Sequence, residues 1–403
     1  MTTENQPTKP FYNTEIPEDW EVISLGKLGN IVTGLTYSPE DICEDTGVLV
    51  LRSSNVQGGR IAFDDNVFVK VKEGDFNPVK RGDILICVRN GSKSLIGKCA
   101  LINEEVEGMA FGAFMAIFRG AYNDYLFHVF NTDIYNREIH RNLGATINSI
   151  NGSYLKEFKI PLPPLPEQRA IATCLSIWDD AIQKLNMLIA QKELRKKWLM
   201  QQLLTRKKRL KGFGGEWAKI GAGEIFKSVS FKGFANEELL SATQDRGMIP
   251  RTMLEGRVTM PTTGTEGFKL VDIGDFVISL RSFQGGLEYS YYKGLVSPAY
   301  TILKPKKPID QEFYKQYFKS YDFIGHLAIA VIGIRDGKQI SYDDFCTVKI
   351  PYPSLEGQTA IAQLLQAADK EISLLKSKAE KLREQKKGLM QVLLYGEKRL
   401  KID

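Results

Sequence analysis

The sequence has few of the residues from which compact metal and disulfide sites are built. It contains five cysteines, of which the nearest two, Cys87 and Cys99, are twelve residues apart, and only three histidines, His128, His140 and His326. No Cys-x-x-Cys pair occurs, so the spacing of a structural zinc site is excluded. We therefore predict no metal, and we interpret the cysteines as buried structural thiols.

Long apolar runs are missing too. The longest, His326–Ile334, is about half of the roughly 18 residues that a membrane span requires. The chain begins with Met-Thr-Thr-Glu-Asn-Gln, which does not have the pattern of a signal peptide. We therefore expect a cytoplasmic protein without a membrane span. Its 403 residues, 43% of them hydrophobic, are enough for two to four folding units.

Motifs for nucleotide binding and catalysis are also absent. No G-x-G-x-x-G occurs, and the nearest approach to a phosphate-binding loop, Gly91–Cys99, has five residues between its glycines and a cysteine where Ser or Thr belongs. We interpret this segment as a turn between strands. The Asn-Pro-Pro-Tyr type of motif with which an adenine methylase holds its base is absent. We therefore predict no catalytic residue and no cofactor bound by this chain.

What the sequence does contain is an internal repeat. Lys159–Leu210 aligns with Lys349–Leu400 at a constant offset of 190, without a gap, and 23 of the 52 positions are identical. KIPLPPLPEQRAIATCL in the first copy faces KIPYPSLEGQTAIAQLL in the second. Upstream the similarity is weaker, although Gly82–Ile86 still resembles Gly274–Ile278. The chain therefore consists of two copies of one unit, each a variable domain followed by a near-constant segment.

These copies define four predicted segments. They are a first variable domain at 1–158, a central helical region at 159–211, a second variable domain at 212–348 and a C-terminal helical region at 349–403. The central region carries 12 basic and four acidic side chains, whereas the first domain carries 15 and 21. The net charge of +6 is small, and it neither supports nor excludes binding to nucleic acid.

The near-constant segments have the heptad pattern of a coiled coil. With Leu175 at position a, seven of nine a and d positions are apolar in the first copy and eight of nine in the second. The first helix should extend from Pro166 to Leu204, roughly 58 Å. Lys196 and Lys386 share one a position, either as polar residues that fix register or as lysines that snorkel at a frayed end. The predicted seam consists of Leu175, Trp178, Ile182, Leu185, Ile189, Leu199 and Leu203 in the first copy, and Leu365, Ile372, Leu375, Leu382, Leu389 and Leu393 in the second.

The variable domains have short apolar runs separated by Gly, Asn and Asp. Val48–Leu51, Val67–Val71, Ile84–Val88 and Ala113–Phe118 predict strands, and residues 131–141 predict a short helix. The fold class predicted from these patterns is α+β, with two mixed α/β domains separated by two long helices in an internal repeat.

At this point the sequence resembles the specificity subunits of type I restriction–modification systems. The resemblance rests on IPLPPLPEQRAIA at 160–172, LMQQLLTRKKRLKGF at 199–213 followed by GGEW, LRSSNV at 51–56, GDILI to GSKSLIGK at 82–98, and GKQIS at 337–341. It covers nearly the whole chain, because the two-copy layout itself matches. The second copy departs from the pattern at Glu356-Gly357, where the first has Pro166-Glu167, and this makes the start of the second helix uncertain.

The resemblance implies a reader of double-stranded DNA that takes part in defence against foreign DNA. The variable domains would be target-recognition domains, each reading one half of a bipartite asymmetric target, and the two helices would pack antiparallel and set the spacing. Two methylation subunits, which use S-adenosylmethionine, and restriction subunits that translocate and cleave DNA would be the partners. The alternative is a non-catalytic coiled-coil spacer that presents two protein- or glycan-binding domains.

Candidate DNA-binding residues follow from the chemistry of base recognition. Arg pairs with guanine, and Asn or Gln pairs with adenine. Side chains of these types, together with lysines, lie near predicted loops, where binding residues concentrate. The candidates are Arg52, Asn55, Gln57, Arg89, Asn90 and Lys93 in the first domain, and Gln244, Arg246, Arg281, Gln284, Lys338 and Gln339 in the second. The basic tracts Arg206–Arg209 and Lys398-Arg399 either complement helix C-termini or contact phosphates.

Overall fold

The structure is a computed structural model, and it describes residues 7–72, 74–143, 148–254, 264–280, 282–331 and 340–401. The chain divides into two units, of which the first consists of Met1–Lys184 with Lys378–Asp403 and the second of Leu185–Ser377. Each unit therefore contains one variable domain together with parts of both near-constant regions. This grouping differs from the four consecutive segments expected from the repeat.

The first copy contains fourteen strands and five helices in the described ranges. They are β1 (Thr8–Phe11), β2 (Thr14–Pro17), β3 (Glu21–Ser24), α1 (Leu25–Leu28), β4 (Gly29–Thr33), β5 (Ile42–Cys43), β6 (Val48–Leu51), β7 (Val56–Gln57), β8 (Arg60–Ile61), β9 (Phe68–Val69), β10 (Ile84–Cys87), β11 (Cys99–Leu101), β12 (Ala110–Phe111), β13 (Met115–Gly120), α2 (Asn123–Val129), α3 (Asp133–Asn142), α4 (Gly152–Glu157), β14 (Lys159–Leu162) and α5 (Leu165–Leu204).

The second copy contains ten strands and six helices in the described ranges. They are β15 (Ala218–Gly221), α6 (Ala222–Ile225), β16 (Phe226–Val229), β17 (Leu240–Thr243), β18 (Gly247–Pro250), β19 (Lys269–Val271), β20 (Phe276–Ile278), α7 (Ser282–Gly285), β21 (Glu288–Tyr289), β22 (Gly294–Val296), β23 (Thr301–Pro305), α8 (Gln311–Tyr317), α9 (Tyr321–Val331), α10 (Tyr342–Thr347), β24 (Lys349–Tyr352) and α11 (Leu355–Leu394).

The two variable domains share the order of their main antiparallel sheet. In the first domain the order is β11-β10-β13-β4, and in the second it is β21-β20-β23-β16. In both domains the strand that opens the near-constant segment pairs with an early strand, so that Ile160 lies opposite Ile23 and Ile350 opposite Ile220. This pairing joins β14 and β24 to the variable domains.

The strand and helix predictions of the first domain are confirmed. β6 matches Val48–Leu51, and β9, β10 and β13 overlap the other three predicted runs, while α3 covers most of the predicted short helix. All four residues of β10 are buried: Ile84 and Ile86 face one hydrophobic cluster, and Leu85 and Cys87 face another. A strand covered on both faces has a continuous apolar sequence instead of an alternating one.

The two long helices begin in the same way, and each has 40 residues. Pro166 lies in the first turn of α5, where its missing N–H costs nothing. The Gln168 side chain donates to the Pro163 carbonyl at 2.7 Å, and Gln358 donates to the Pro353 carbonyl at 3.0 Å. The repeated cap therefore resolves the uncertainty that Glu356-Gly357 raised about the start of the second helix.

The thirteen residues of the predicted seam are all buried or half-buried. In the second unit, Lys196 and Lys192 of α5 pair with Asp369 and Glu371 of α11, so ascending residue numbers on one helix meet descending numbers on the other. In the first unit, Leu175 near the start of α5 shares a hydrophobic cluster with residues at the end of α11. The two helices are therefore antiparallel within each unit.

The five cysteines are free, and their burial differs. Cys87 and Cys99 are buried, as predicted, and burial raises the pKa of Cys99 to about 12. Cys43, Cys174 and Cys346 are only half-buried. The interpretation as buried structural thiols therefore holds for two of the five.

Candidate nucleic-acid interface

Two loops that carry predicted DNA-binding residues lie side by side in the first domain. The side-chain amide of Asn90 donates to the Ser53 hydroxyl at 3.0 Å. The loop that follows β6 carries Arg52, and the loop that follows β10 carries Arg89 and Lys93. Residues 37 positions apart in sequence are thus part of one polar surface.

Within this surface, Asn55 has a structural role. It is fully buried, its side-chain oxygen accepts from the Arg52 backbone N–H at 2.9 Å, and its amide group donates to the carbonyls of Ala62 at 3.0 Å and Asp65 at 3.2 Å. An amide that already satisfies the loop's backbone is unavailable to a base edge. This burial argues against the predicted base contact of Asn55, and it shows that Asn55 holds the loop that presents the neighbouring candidates.

The remaining first-domain candidates keep at least part of their side chains in solvent. Arg52 is ion-paired with Asp65 at 2.8 Å, and its side chain is 33% exposed. Arg89, Lys93 and Gln57 are exposed. The Arg89 guanidinium lies 5.4 Å from the ring centroid of Phe114, which is 57% exposed. An arginine stacked on an exposed aromatic ring is a preordered cation, because the ring restricts its rotamers.

The glycine-containing segment Gly91–Cys99 is a turn between strands, as predicted. It joins β10 to β11, which pair antiparallel, so that Ile86 lies opposite Cys99. The side chain of Asn148 donates to the Gly91 carbonyl at 2.9 Å and ties this loop to a second chain segment. A phosphate-binding loop requires a helix after the glycines, and a strand stands there instead.

In the second domain, the candidates group around the β17–β18 hairpin. Gln244 and Arg246 are exposed in its tip, and the Arg246 backbone N–H donates to the Thr243 hydroxyl at 3.2 Å. Gly285 of α7 lies against the Gln244 side chain, because a Cβ added there would be 3.0 Å from the Gln244 amide nitrogen. The hairpin tip therefore lies next to α7, on which Gln284 is exposed. The other three candidates, Arg281, Lys338 and Gln339, lie outside the described residues.

A cleft of about 750 Å³ opens beside this hairpin within the second unit. Gln244 and Arg246 line it, together with Lys197 of α5 and Lys319 after α8. Lys319 is neutralised by Glu288 at 2.8 Å, and burial raises the pKa of that carboxyl group. Lys197 and Arg246 are exposed cations on the walls. The cleft is also lined by Lys196, Lys315 and Lys376, each of which pairs with a carboxylate.

The basic tracts at the helix ends bind carboxylates of the variable domains and of α5. Arg399 donates to Glu167, which is buried, at 2.6 Å and to Asp19 at 2.9 Å. The hydrogen bond from Arg399 lowers the pKa of Asp19. In the second unit Arg209 pairs with Glu216 at 3.4 Å.

These arginines therefore hold helix ends to domains, a role closer to the helix-terminus interpretation than to the phosphate interpretation. Sequence reasoning missed their acidic partners, although the equivalent positions of Arg209 and Arg399 in the repeat were a signal that could have found them.

Two further properties bear on function. Within the described ranges, no group of three or more His, Cys, Asp or Glu side chains is arranged to hold a metal ion. Among the same residues, no helix is both long and apolar enough to cross a membrane.

Comparison with known proteins gives the family. The model of the type I restriction modification DNA specificity domain matches residues 17–194 and 214–384. The putative type I restriction enzyme MjaX specificity subunit of Methanocaldococcus jannaschii is 28% identical over 419 residues, which cover 96% of this chain and 95% of that protein. The EcoKI specificity subunit of Escherichia coli strain K12 is 30% identical over 187 residues, 44% of this chain and 38% of that protein.

Solved structures agree at the level of the fold. The S subunit of a type I restriction–modification system from M. genitalium has a TM-score of 0.58 at 18% identity, and the match covers 96% of this chain and 98% of that one. A chain from a structural study of complex assembly in a type I system has the same TM-score at 17% identity and covers 96% and 100%. These matches give no support to a spacer that presents protein- or glycan-binding domains. The chain belongs to the type I restriction–modification specificity family, as a DNA specificity subunit with two specificity domains.

Proposed function

We propose that each specificity domain reads one half of a bipartite, asymmetric DNA target, and that the two long helices form an antiparallel coiled coil that sets the distance between the halves. The observation that carries this proposal is the repeat. Two domains with the same sheet order but different loops are joined to two helices of equal length. Different loops imply different half-sites, because bases are read by side chains on loops.

The geometry of DNA supports a target in two halves. Two antiparallel helices of equal length relate the domains attached to them by a pseudo-dyad, and duplex DNA has local two-fold symmetry. Half-sites about one helical turn apart, roughly 34–36 Å, would suit helices of roughly 58–60 Å. The bases between the half-sites would then be read only as length.

In this proposal the subunit is non-catalytic, and chemistry belongs to its partners. Two methylation subunits would dock on equivalent helical surfaces and bind S-adenosylmethionine, and restriction subunits would complete the enzyme. In the second unit, Leu194 of α5 and Leu374 of α11 are 65% and 62% exposed, and Trp198 is exposed nearby on α5. Neighbouring exposed apolar side chains on helices support a protein-binding surface in this unit. The repeat places Glu384, Gly388 and Lys184 at the corresponding positions, so this support does not extend to the first unit.

Methylation mapping tests the proposal. The chain is co-expressed with its cognate methylation subunit, and the methylated adenines of the host genome are sequenced. We expect one interrupted, asymmetric motif that appears only when this chain is present. Exchanging residues 1–158 for the first domain of another specificity subunit should change one half of that motif and leave the other half unchanged.

Two results would contradict the proposal. A continuous motif would remove the need for two readers, and a domain exchange that alters both halves would show that the domains do not act independently. An exchange of residues 212–348 is the matched control, since it should alter only the other half.

A further inference from the structure

Two ion pairs join the long helices at one heptad position. Lys196 of α5 binds Asp369 of α11 at 2.5 Å in the second unit, and Lys386 of α11 binds Asp179 of α5 at 2.5 Å in the first. The offset of 190 residues that relates the two copies converts one pair into the other. The exchange of partners, in which the lysine of each copy binds the aspartate of the other, is the pattern of an isologous contact.

The lysines of these pairs are less exposed than an ordinary surface lysine. Their side chains are 21% and 14% exposed, although both occupy the apolar a position, while Asp369 and Asp179 are 43% and 29% exposed. Each lysine is bound by the opposite helix, so snorkelling at a frayed end does not describe them. Burying such a pair is commonly no more stabilising than two apolar side chains would be. What a polar pair at an a position does provide is selection of a single register.

The sequence around the second-unit pair shows how a wrong register would be rejected. A slip of one heptad in one direction would place Lys196 opposite Lys376, with like charges in contact. The same slip would leave Asp369 beside Leu203, and a slip in the opposite direction would leave it beside Ile189. In either case the half-buried ammonium group of Lys196 loses its carboxylate, and an unpaired charge that is partly removed from water is unfavourable.

We infer that the pairs Lys196–Asp369 and Lys386–Asp179 are the register pins of the helices, and that they determine which gap length the subunit accepts between its half-sites. This inference rests on the proposed function. Apolar side chains of the seam would also be buried in a slipped register. The two ion pairs, in contrast, form in only one alignment of the helices. Without them the alignment of the helices between their ends would be less strictly fixed, and the gap would become less strictly measured.

The test removes both pins without leaving a buried charge. Lys196→Met and Lys386→Met are combined with Asp369→Asn and Asp179→Asn. Asn at 369 keeps an acceptor for the Gln316 side chain, which donates to Asp369 at 2.9 Å. The control variant, Lys376→Met with Glu193→Gln, removes an ion pair of the same two helices whose side chains are 58% and 42% exposed.

Each variant is co-expressed with the methylation subunit and a plasmid library in which the mapped half-sites are separated by the native gap or by one or two base pairs more or fewer. For the native chain and the control, we expect a change of one base pair in the gap to lower methylation at least about tenfold, because it moves one half-site by roughly 3.4 Å along the duplex and by about a tenth of a turn around it. For the pin-free variant we expect a loss of less than about threefold. If the fourfold variant does not fold by circular dichroism, the single-pin variant Lys196→Met with Asp369→Asn should show an intermediate loss.

The outcomes separate the inference from the function on which it rests. Absence of any interrupted motif for the native chain would overturn the proposed function. A native chain that measures a strict gap, together with folded pin-free or single-pin variants that measure it equally strictly, would overturn the inference alone. Relaxed gap selection in the exposed-pair control would also overturn it, because the effect would then not be specific to the buried pairs.

Discussion

His128 makes the first unit sensitive to mildly acidic pH. Its side chain is 1% exposed, and Nε2 lies 3.4 Å from the Ser176 hydroxyl of α5. Burial, with a further contribution from the charge of Lys386, lowers the pKa of His128 from 6.5 to about 3. The Asp179 carboxylate is 3.9 Å from Nδ1, but Lys386 binds it, so it does not offset the burial. His128 is therefore neutral in the folded protein at pH 7 and at pH 5.

The stability effect follows from the difference between the folded and unfolded states. Above pH 6.5 both states have a neutral imidazole, and the full stability is present. As the pH falls below 6.5 the unfolded state takes up a proton that the folded state does not, so the free energy of unfolding decreases until the pH reaches about 3. At pH 5, one and a half units below the unfolded pKa, the loss is about 2 kcal/mol at 1.36 kcal/mol per unit.

Hydrogen exchange in α2, which carries His128, measures this loss. Exchange of the α2 peptide is recorded at pH 7 and pH 5 in the native chain and in His128→Gln, and is corrected for the intrinsic rate at each pH. Effects of other titrating groups cancel in the comparison, so the native chain should lose about 2 kcal/mol more than the variant between the two pH values. The exposed His140→Gln variant is the control and should behave like the native chain. Equal losses in the native chain and His128→Gln would refute the assignment.

Two further predictions concern the end of α11. Gly396 has φ +72°, and a Cβ there would lie 2.4 Å from a proline ring, so Gly396→Ala should cost about 2–4 kcal/mol in chemical denaturation. Gly82→Ala, at φ +83° with nothing within 4 Å, should cost about 1 kcal/mol, and equal losses would contradict the packing argument. Arg399→Ala leaves the buried carboxylate of Glu167 without its cation and should cost about 3 kcal/mol or more, whereas Arg209→Ala, at an exposed pair, should cost less than about 1 kcal/mol. Similar melting temperatures for the two arginine variants would contradict this reasoning.

Much of the fold could be predicted from local pattern and from the repeat. The runs at β6 and β10 predicted their strands because four successive apolar side chains fit a buried strand. The heptads predicted two long helices, and α5 and α11 have 40 residues each. The composition of the two units could not be predicted in this way. The composition of the units depends on contacts such as that between Lys386 and Asp179, which are 207 residues apart. The sequence around neither residue contains a pattern that indicates this contact.

The candidate interface was predictable only in part. Residue type and loop position selected Arg89 and Asn55 equally, because both side chains have the chemistry to bind a base. In the structure the two side chains differ in whether their own loop already occupies their polar groups. The amide of Asn55 is used by two carbonyls of its own loop, whereas Arg89 lies on the exposed ring of Phe114. Whether a side chain forms hydrogen bonds with its own backbone depends on the conformation of the loop. Residue type alone does not determine that conformation.

One difference between the copies has a physical explanation in chain connectivity. Glu167 of the first copy corresponds to Gly357 of the second, and Glu167 binds Arg399 and the Trp20 ring N–H. In the first unit the end of α11 meets a domain 380 residues earlier, where Arg399 reaches Asp19.

In the second unit the corresponding contact, between Arg209 and Glu216, spans seven residues of continuous chain. Closing a loop of 380 residues costs an unfolded chain about 3.5 kcal/mol more than closing one of seven, on a scale of (3/2)RT ln n. The buried carboxylate of Glu167 binds both the arginine and the tryptophan of the distant contact, and these bonds offset part of that cost. The second unit needs no such group, because its covalent chain already holds the end of α5 beside the domain that follows it.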